Sequence, residues 1–149
     1  MRHLVFAVLL GGCGVFVSFP DGTRHLADRE SVVVGAVEEA WAVAGLPSKR
    51  RRCGRLRLVD LPLDRALGEC FAAGEWSGYG CYRRPQRGSS YVVRSDEHPL
   101  PENVLAHEAA HWLEDCARIG ADRQHRDPRI WGAEGVVARV QRELTKERP

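Results

Sequence analysis

Five consecutive residues, His107-Glu108-Ala109-Ala110-His111, combine side chains and a spacing that can do chemistry. Residues four apart lie on one face of an α-helix, about one turn along. Two imidazoles so placed can converge on one metal ion. This chemistry requires the five residues to be helical. Pro99-Leu100-Pro101 is a start signal, with Pro101 suited to the first turn and Glu102 favourable near the positive end of the helix dipole. Gly120 is the expected stop. Leu105, Ala109, Trp112 and Cys116 form one apolar stripe at helical spacing. His107, His111, Glu114 and Arg118 form a second, polar stripe, expected to face a cleft.

The motif reads HExxH, and on it the chain resembles the zincin metallopeptidases. The resemblance implies zinc-dependent hydrolysis of a peptide or protein substrate, with one Zn²⁺ held by His107 and His111. It makes Glu108 the catalytic residue, general base toward the water on the ion and then general acid toward the leaving amine. A third ligand is expected downstream. The metzincin pattern HExxHxxGxxH fails, because Glu114 stands at its Gly and Ala117 at its last His. Asp115 lies about 12 Å along the helix from His107 at about 1.5 Å per residue, too far to share an ion.

His125 is the expected third ligand and Glu134 the alternative. His125 follows the loop 120–124, which can turn the chain back under the helix. Asp122, His125 and Pro128 fit the D-x-x-H-x-x-P-like loop of exported zincin-like proteins. Glu134 lies at about the spacing of the gluzincin glutamate, but Ala138 stands where that family carries an Asp. His98 precedes the helix and ranks below both. Asp122, Glu114 and Asp115 are candidates for orienting an imidazole, Tyr82 or Tyr91 for an additional oxyanion donor, and Trp131 for an anchor of the loop.

At 149 residues the chain is long enough for one domain with a real core. A net charge of +2 argues against a nucleic-acid partner, and Lys49-Arg50-Arg51-Arg52 reads as a solvated loop. The N-terminus has the basic start Met1-Arg2-His3, an apolar run Leu4 to Leu10, then Leu10-Gly11-Gly12-Cys13. The run is too short to span a bilayer. It resembles a bacterial lipoprotein signal: residues 1–12 removed, Cys13 acylated and inserted in the bilayer, 13–28 a connector, 29–149 the zincin-like domain. Gly14, where a retaining Asp would stand, points to the periplasmic face of the outer membrane. Cys53, Cys70, Cys81 and Cys116 remain, an even number suited to two disulfides in an oxidising compartment. Cys70 and Cys81 flank a Gly-rich loop and are the expected pair, leaving Cys53 with Cys116.

These elements must position the motif. Helical spacing of Val33, Val37, Trp41 and Ala44 predicts a helix over 29–44 with Asp28 as its N-cap. Alternation predicts a half-buried strand over 55–59 that runs on toward Leu61. Residues 63–71 are a short helix or turn, and 80–84 and 89–94 two strands joined by a turn. The second of these is expected at the sheet edge, where it could pair with substrate. An amphipathic helix over 133–147 buries Val136, Val137, Val140 and Leu144. The fold class expected is α+β: an N-terminal helix, a short twisted antiparallel or mixed sheet, the HExxH helix and a C-terminal helix. The second functional reading is a non-catalytic metal-binding or structural envelope lipoprotein.

Overall fold

Apolar residues recurring every three or four positions fold the chain after Leu26 into α1, Asp28–Val43, with Val33, Val37, Ala40 and Trp41 buried. The N-cap is Ala27 rather than Asp28. An alanine has no side-chain acceptor, so the cap is made in reverse: Glu30, in the first turn, accepts from the Ala27 N–H at 2.8 Å. In this computed structural model the described residues are 19–47, 54–72, 79–86, 89–119 and 125–147. They form an α+β structure with five helices and one four-stranded mixed sheet. After β1 (Arg24–His25) and α1 come β2 (Leu56–Leu61), α2 (Leu63–Ala72), β3 (Gly80–Gln86), β4 (Ser89–Ser95), α3 (Pro101–Ala117), α4 (Pro128–Trp131) and α5 (Val136–Lys146).

The sheet order is β1-β2-β4-β3. β2 runs parallel to β4, and β3 is antiparallel to β4, with Tyr82 opposite Val92. β4 is therefore internal and paired on both sides, and the expectation of an edge strand there fails. β3 is the edge. Its register shifts between Arg83 and Gln86, around Pro85, a residue with no ladder N–H to give.

Both faces of the sheet are covered, which explains why Val59 breaks the alternation in β2. Leu56, Leu58 and Val92 join the main core with α1, α3 and α5. Val59, Leu61, Tyr91 and Val93 face the other way, onto Ala66 and Cys70 of α2. A strand buried on both faces reads as a near-continuous apolar run rather than a half-buried alternation. Cys70 of α2 and Cys81 of β3 are joined by a disulfide, with Cα atoms 5.6 Å apart. Cys116 is buried on α3; its expected partner Cys53 lies outside the described residues, as does Cys13. No helix among the described residues is long and apolar enough to cross a membrane.

One polar cluster interrupts the main core. Arg24, Glu30, Arg94 and Asp60 close a ring of alternating charge. Glu30 Oε1 accepts from Arg24 Nη2 at 2.8 Å and from Arg94 Nη2 at 2.9 Å. Asp60 accepts from Arg94 Nε and Arg24 Nη2, each at 2.7 Å. The ring ties α1, β1, β2 and β4 together. Arg24 holds the Glu30 carboxyl well below its ordinary value of 4.5, at about 2, with the Ala27 N–H and Arg94 adding to the effect against the opposing cost of burial. A depressed carboxyl stabilises the fold fully above its unfolded pKa and loses that contribution as pH falls through its folded one. Glu30→Gln is expected to cost about 2 kcal/mol at pH 7, since it leaves the buried Arg94 guanidinium, and the more exposed Arg24, short of an anion. The gap to the parent should narrow between pH 4.5 and 2. Urea unfolding at several pH values checks this, and a pH-independent gap would contradict the assignment.

Candidate metal centre

α3 carries the motif, and its sequence makes it buried almost all round. Leu105, Ala109, Trp112 and Cys116 pack in the main core as their spacing predicts. The polar stripe is mostly inside too: Glu114 is fully buried and His111 nearly so. It faces the segment after the helix rather than open solvent. The helix ends at Ala117, before Gly120. Arg118 takes a left-handed conformation (φ 56°), and the Ile119 N–H reaches the Glu114 carbonyl at 3.2 Å.

His107 and His111 meet His125, which lies just before α4. One ring nitrogen from each of the three lies within 4.8 Å of the other two. Nε2 of His111 and Nε2 of His125 are 3.1 Å apart. Nitrogens on one tetrahedral zinc stand about 3.3 Å apart, given Zn–N distances of about 2.0–2.1 Å, so the group fits one ion after small ring rotations. Burial, with His111 and His125 adding to it, lowers the His107 pKa to about 3 and keeps that ring neutral, the form in which imidazole binds metal.

Glu114 settles which nitrogen of His111 faces the group. Its Oε2 is 3.0 Å from His111 Nδ1. A carboxylate accepts, so Nδ1 carries the hydrogen and Nε2 presents its lone pair. Oε1 accepts from Trp131 Nε1 at 3.0 Å. Of the three acids considered for orienting an imidazole, Glu114 takes the role. Asp115 instead anchors the edge strand, accepting from Tyr82 Oη at 2.8 Å and Arg84 Nη1 at 2.7 Å. Asp122 lies outside the described residues.

Glu134 is not part of this group. It lies in the turn before α5, exposed, and pairs with Arg142 at 2.8 Å. His98 accepts from the Leu100 N–H at 3.0 Å and packs against Tyr79. Neither tyrosine is free to serve as an oxyanion donor. Tyr91 is buried on the opposite face of the sheet against Phe19. Tyr82 donates to Asp115, and burial raises its pKa, keeping it a phenol.

Glu108 is buried on the side of α3 that faces β3. Gly80 makes room for it: a Cβ there would lie 3.7 Å from Glu108 Cγ and 2.4 Å from Val104 Cγ1. That close approach of edge strand to helix was not read from the sequence, where Gly80 only ends a glycine-rich loop. The Tyr82–Arg84 clamp had a signal. The two residues alternate onto one face of β3, the face toward α3.

The chain matches no family model, no curated protein and no solved structure.

Gly80→Ala is expected to destabilise the fold by about 1–3 kcal/mol through overpacking against Val104. Denaturant unfolding checks it. A neutral result would mean that β3 sits further from α3.

Proposed function

We propose that the chain is a zinc-dependent peptidase of zincin-like architecture, anchored to the bacterial cell envelope through an acylated Cys13. The observation that carries this reading is the convergence of His107, His111 and His125, with the motif carboxylate Glu108 buried on the same helix. These three imidazoles would hold one Zn²⁺. The ion supplies a Lewis acid that polarises a carbonyl and acidifies a water.

The chain's own residues do the rest. His111 keeps its metal-facing nitrogen unprotonated because Glu114 takes the hydrogen on the other. Glu108 Oε accepts the proton of the attacking water and later returns it to the leaving amine nitrogen. β3 replaces β4 as the strand that can receive an extended substrate. It is an edge strand, and of the two edges it is the one that lies against Glu108, at Gly80. Asp115 holds it on α3 through Tyr82 and Arg84, and the disulfide to Cys70 holds its other face.

Purified parent protein is expected to contain about one zinc per chain by elemental analysis; protein that binds none sinks the reading. Glu108→Gln should retain the zinc and lose about 10²-fold or more in peptide-library hydrolysis. Wild-type turnover by that variant would rule out Glu108 as the base. His125→Ala should lose stoichiometric zinc while Glu134→Ala keeps it. Cys13→Ser should move the protein from the membrane fraction to the soluble one and abolish its labelling by fatty acid. An unchanged membrane fraction would refute the anchor.

A further inference from the structure

Trp131 has a larger part in this site than an anchor of the loop. The three imidazole centroids form a near-equilateral triangle with sides of 5.1, 4.9 and 5.1 Å. The Trp131 centroid lies 4.8, 4.6 and 4.1 Å from His107, His111 and His125. These distances are similar to one another, and all exceed the distance from a corner to the centre of such a triangle. The indole therefore stands over one face of the triangle, not beside it.

We propose that Trp131 and Glu114 form a latch that assembles the three-histidine site, closing one face of it and leaving the opposite face for the fourth ligand of the metal. This inference rests on the reading that the three histidines hold a metal ion.

Two elements meet at the latch. His107 and His111 arrive on α3. His125 and Trp131 arrive on the segment that ends in α4, where Asp127 caps the helix by accepting from the Arg129 N–H at 3.0 Å. Besides the His111–His125 contact, one fully buried carboxylate links them. Glu114 Oε1 holds the indole N–H, and Oε2 holds His111 Nδ1. The same group thus fixes the position of Trp131 and the tautomer of His111.

The hydrogens then have one consistent arrangement. His111 carries its hydrogen on Nδ1. Its Nε2 accepts from His125 Nε2–H at 3.1 Å. To serve as a ligand, His125 would carry its hydrogen on Nδ1 instead, leaving Nε2 of both rings to hold an ion. His125 is held in a left-handed conformation (φ 53°), which a non-glycine residue adopts only at a cost. The indole, tilted at 46° with its centroid 4.1 Å from the His125 ring, the shortest of the three distances, is a contact that offsets this cost.

A tryptophan that merely filled space would not need the carboxylate, and phenylalanine would replace it at little loss. Glu114→Gln and Trp131→Phe separate the two roles. The Gln amide can still accept from Trp131 with its oxygen, but then its NH₂ faces His111 Nδ1 and donates. That reverses the tautomer and puts the hydrogen on the metal-facing Nε2.

The test uses the metal-free full chain and zinc alone. Long-range ¹⁵N–¹H NMR should find His111 in the Nδ1–H form in the parent and mostly in the Nε2–H form in Glu114→Gln. Chelator competition should find zinc binding weaker by about 10–100-fold in Glu114→Gln and in Trp131→Phe. A purely structural role would leave the tautomer unchanged. The proposal is overturned if the parent His111 is Nε2–H, or if Glu114→Gln leaves both tautomer and affinity unchanged. Should Glu114→Gln fail to fold, unchanged affinity in Trp131→Phe overturns it. A parent chain that binds no zinc defeats the metal reading, while the tautomer measurement still decides the latch.

Discussion

The burial of α3 is the constraint on which the rest depends. A helix that is inside on nearly every side cannot leave a charged or hydrogen-bonding side chain to water. Each one must recruit a partner from another element or cost several kcal/mol. α3 carries Glu108, His111, Glu114 and Asp115 in eight residues, three of them buried and Asp115 part-buried. Asp115 recruits the edge strand through Tyr82 and Arg84. Glu114 recruits α4 through Trp131. The polar residues of one helix thus decide where two other elements sit. Arrangement of the site and arrangement of the fold are the same set of hydrogen bonds.

The charged ring of Arg24, Glu30, Arg94 and Asp60 applies the same logic at the other end. Arg94 lies on the face of β4 that looks toward α3, and its guanidinium also reaches the Pro101 carbonyl, at 3.5 Å, where α3 begins. Two arginines and two carboxylates cancel in charge, so none is left uncompensated inside. Replacing such a ring with apolar residues can stabilise a protein, which makes it a poor explanation of stability alone. Its directional bonds fix the register of β1, β2 and β4 and the start of α3. The motif helix is therefore tethered at its first turn and again near its last.

Sequence made the helices and the cysteine pair legible for local reasons. Apolar spacing gives α1 and α5 within a few residues, and Cys70 and Cys81 flank a short loop. What escaped is what depends on a third element. β4 is flanked by β2 only because the chain crosses over through α2 and β3, which strand alternation does not encode. Val59 breaks the pattern of β2 because α2 covers that face. The spacing of His107, His111, Glu114 and Arg118 gives a polar stripe facing a cleft, but not the full burial of Glu114 or its bond to Trp131 from beyond the helix. The convergence of His125 on the motif is a nonlocal fact of the same type. His125 and Glu134 differ in sequence by nine positions, yet one meets the helix and the other pairs with Arg142 at the surface.

Placing Trp131 over one face of the three imidazoles gives the centre a direction. Glu108 projects toward β3, the edge able to align an extended chain. Indole, triangle, carboxylate and edge strand all lie against α3. Each is fixed by a contact that does not involve the metal: Trp131 by Glu114, His111 by Glu114, Glu108 by its burial beside Gly80, and β3 by Asp115 and the disulfide. The side chains are thus ordered by folding itself, so any ion they bind would meet groups already in place.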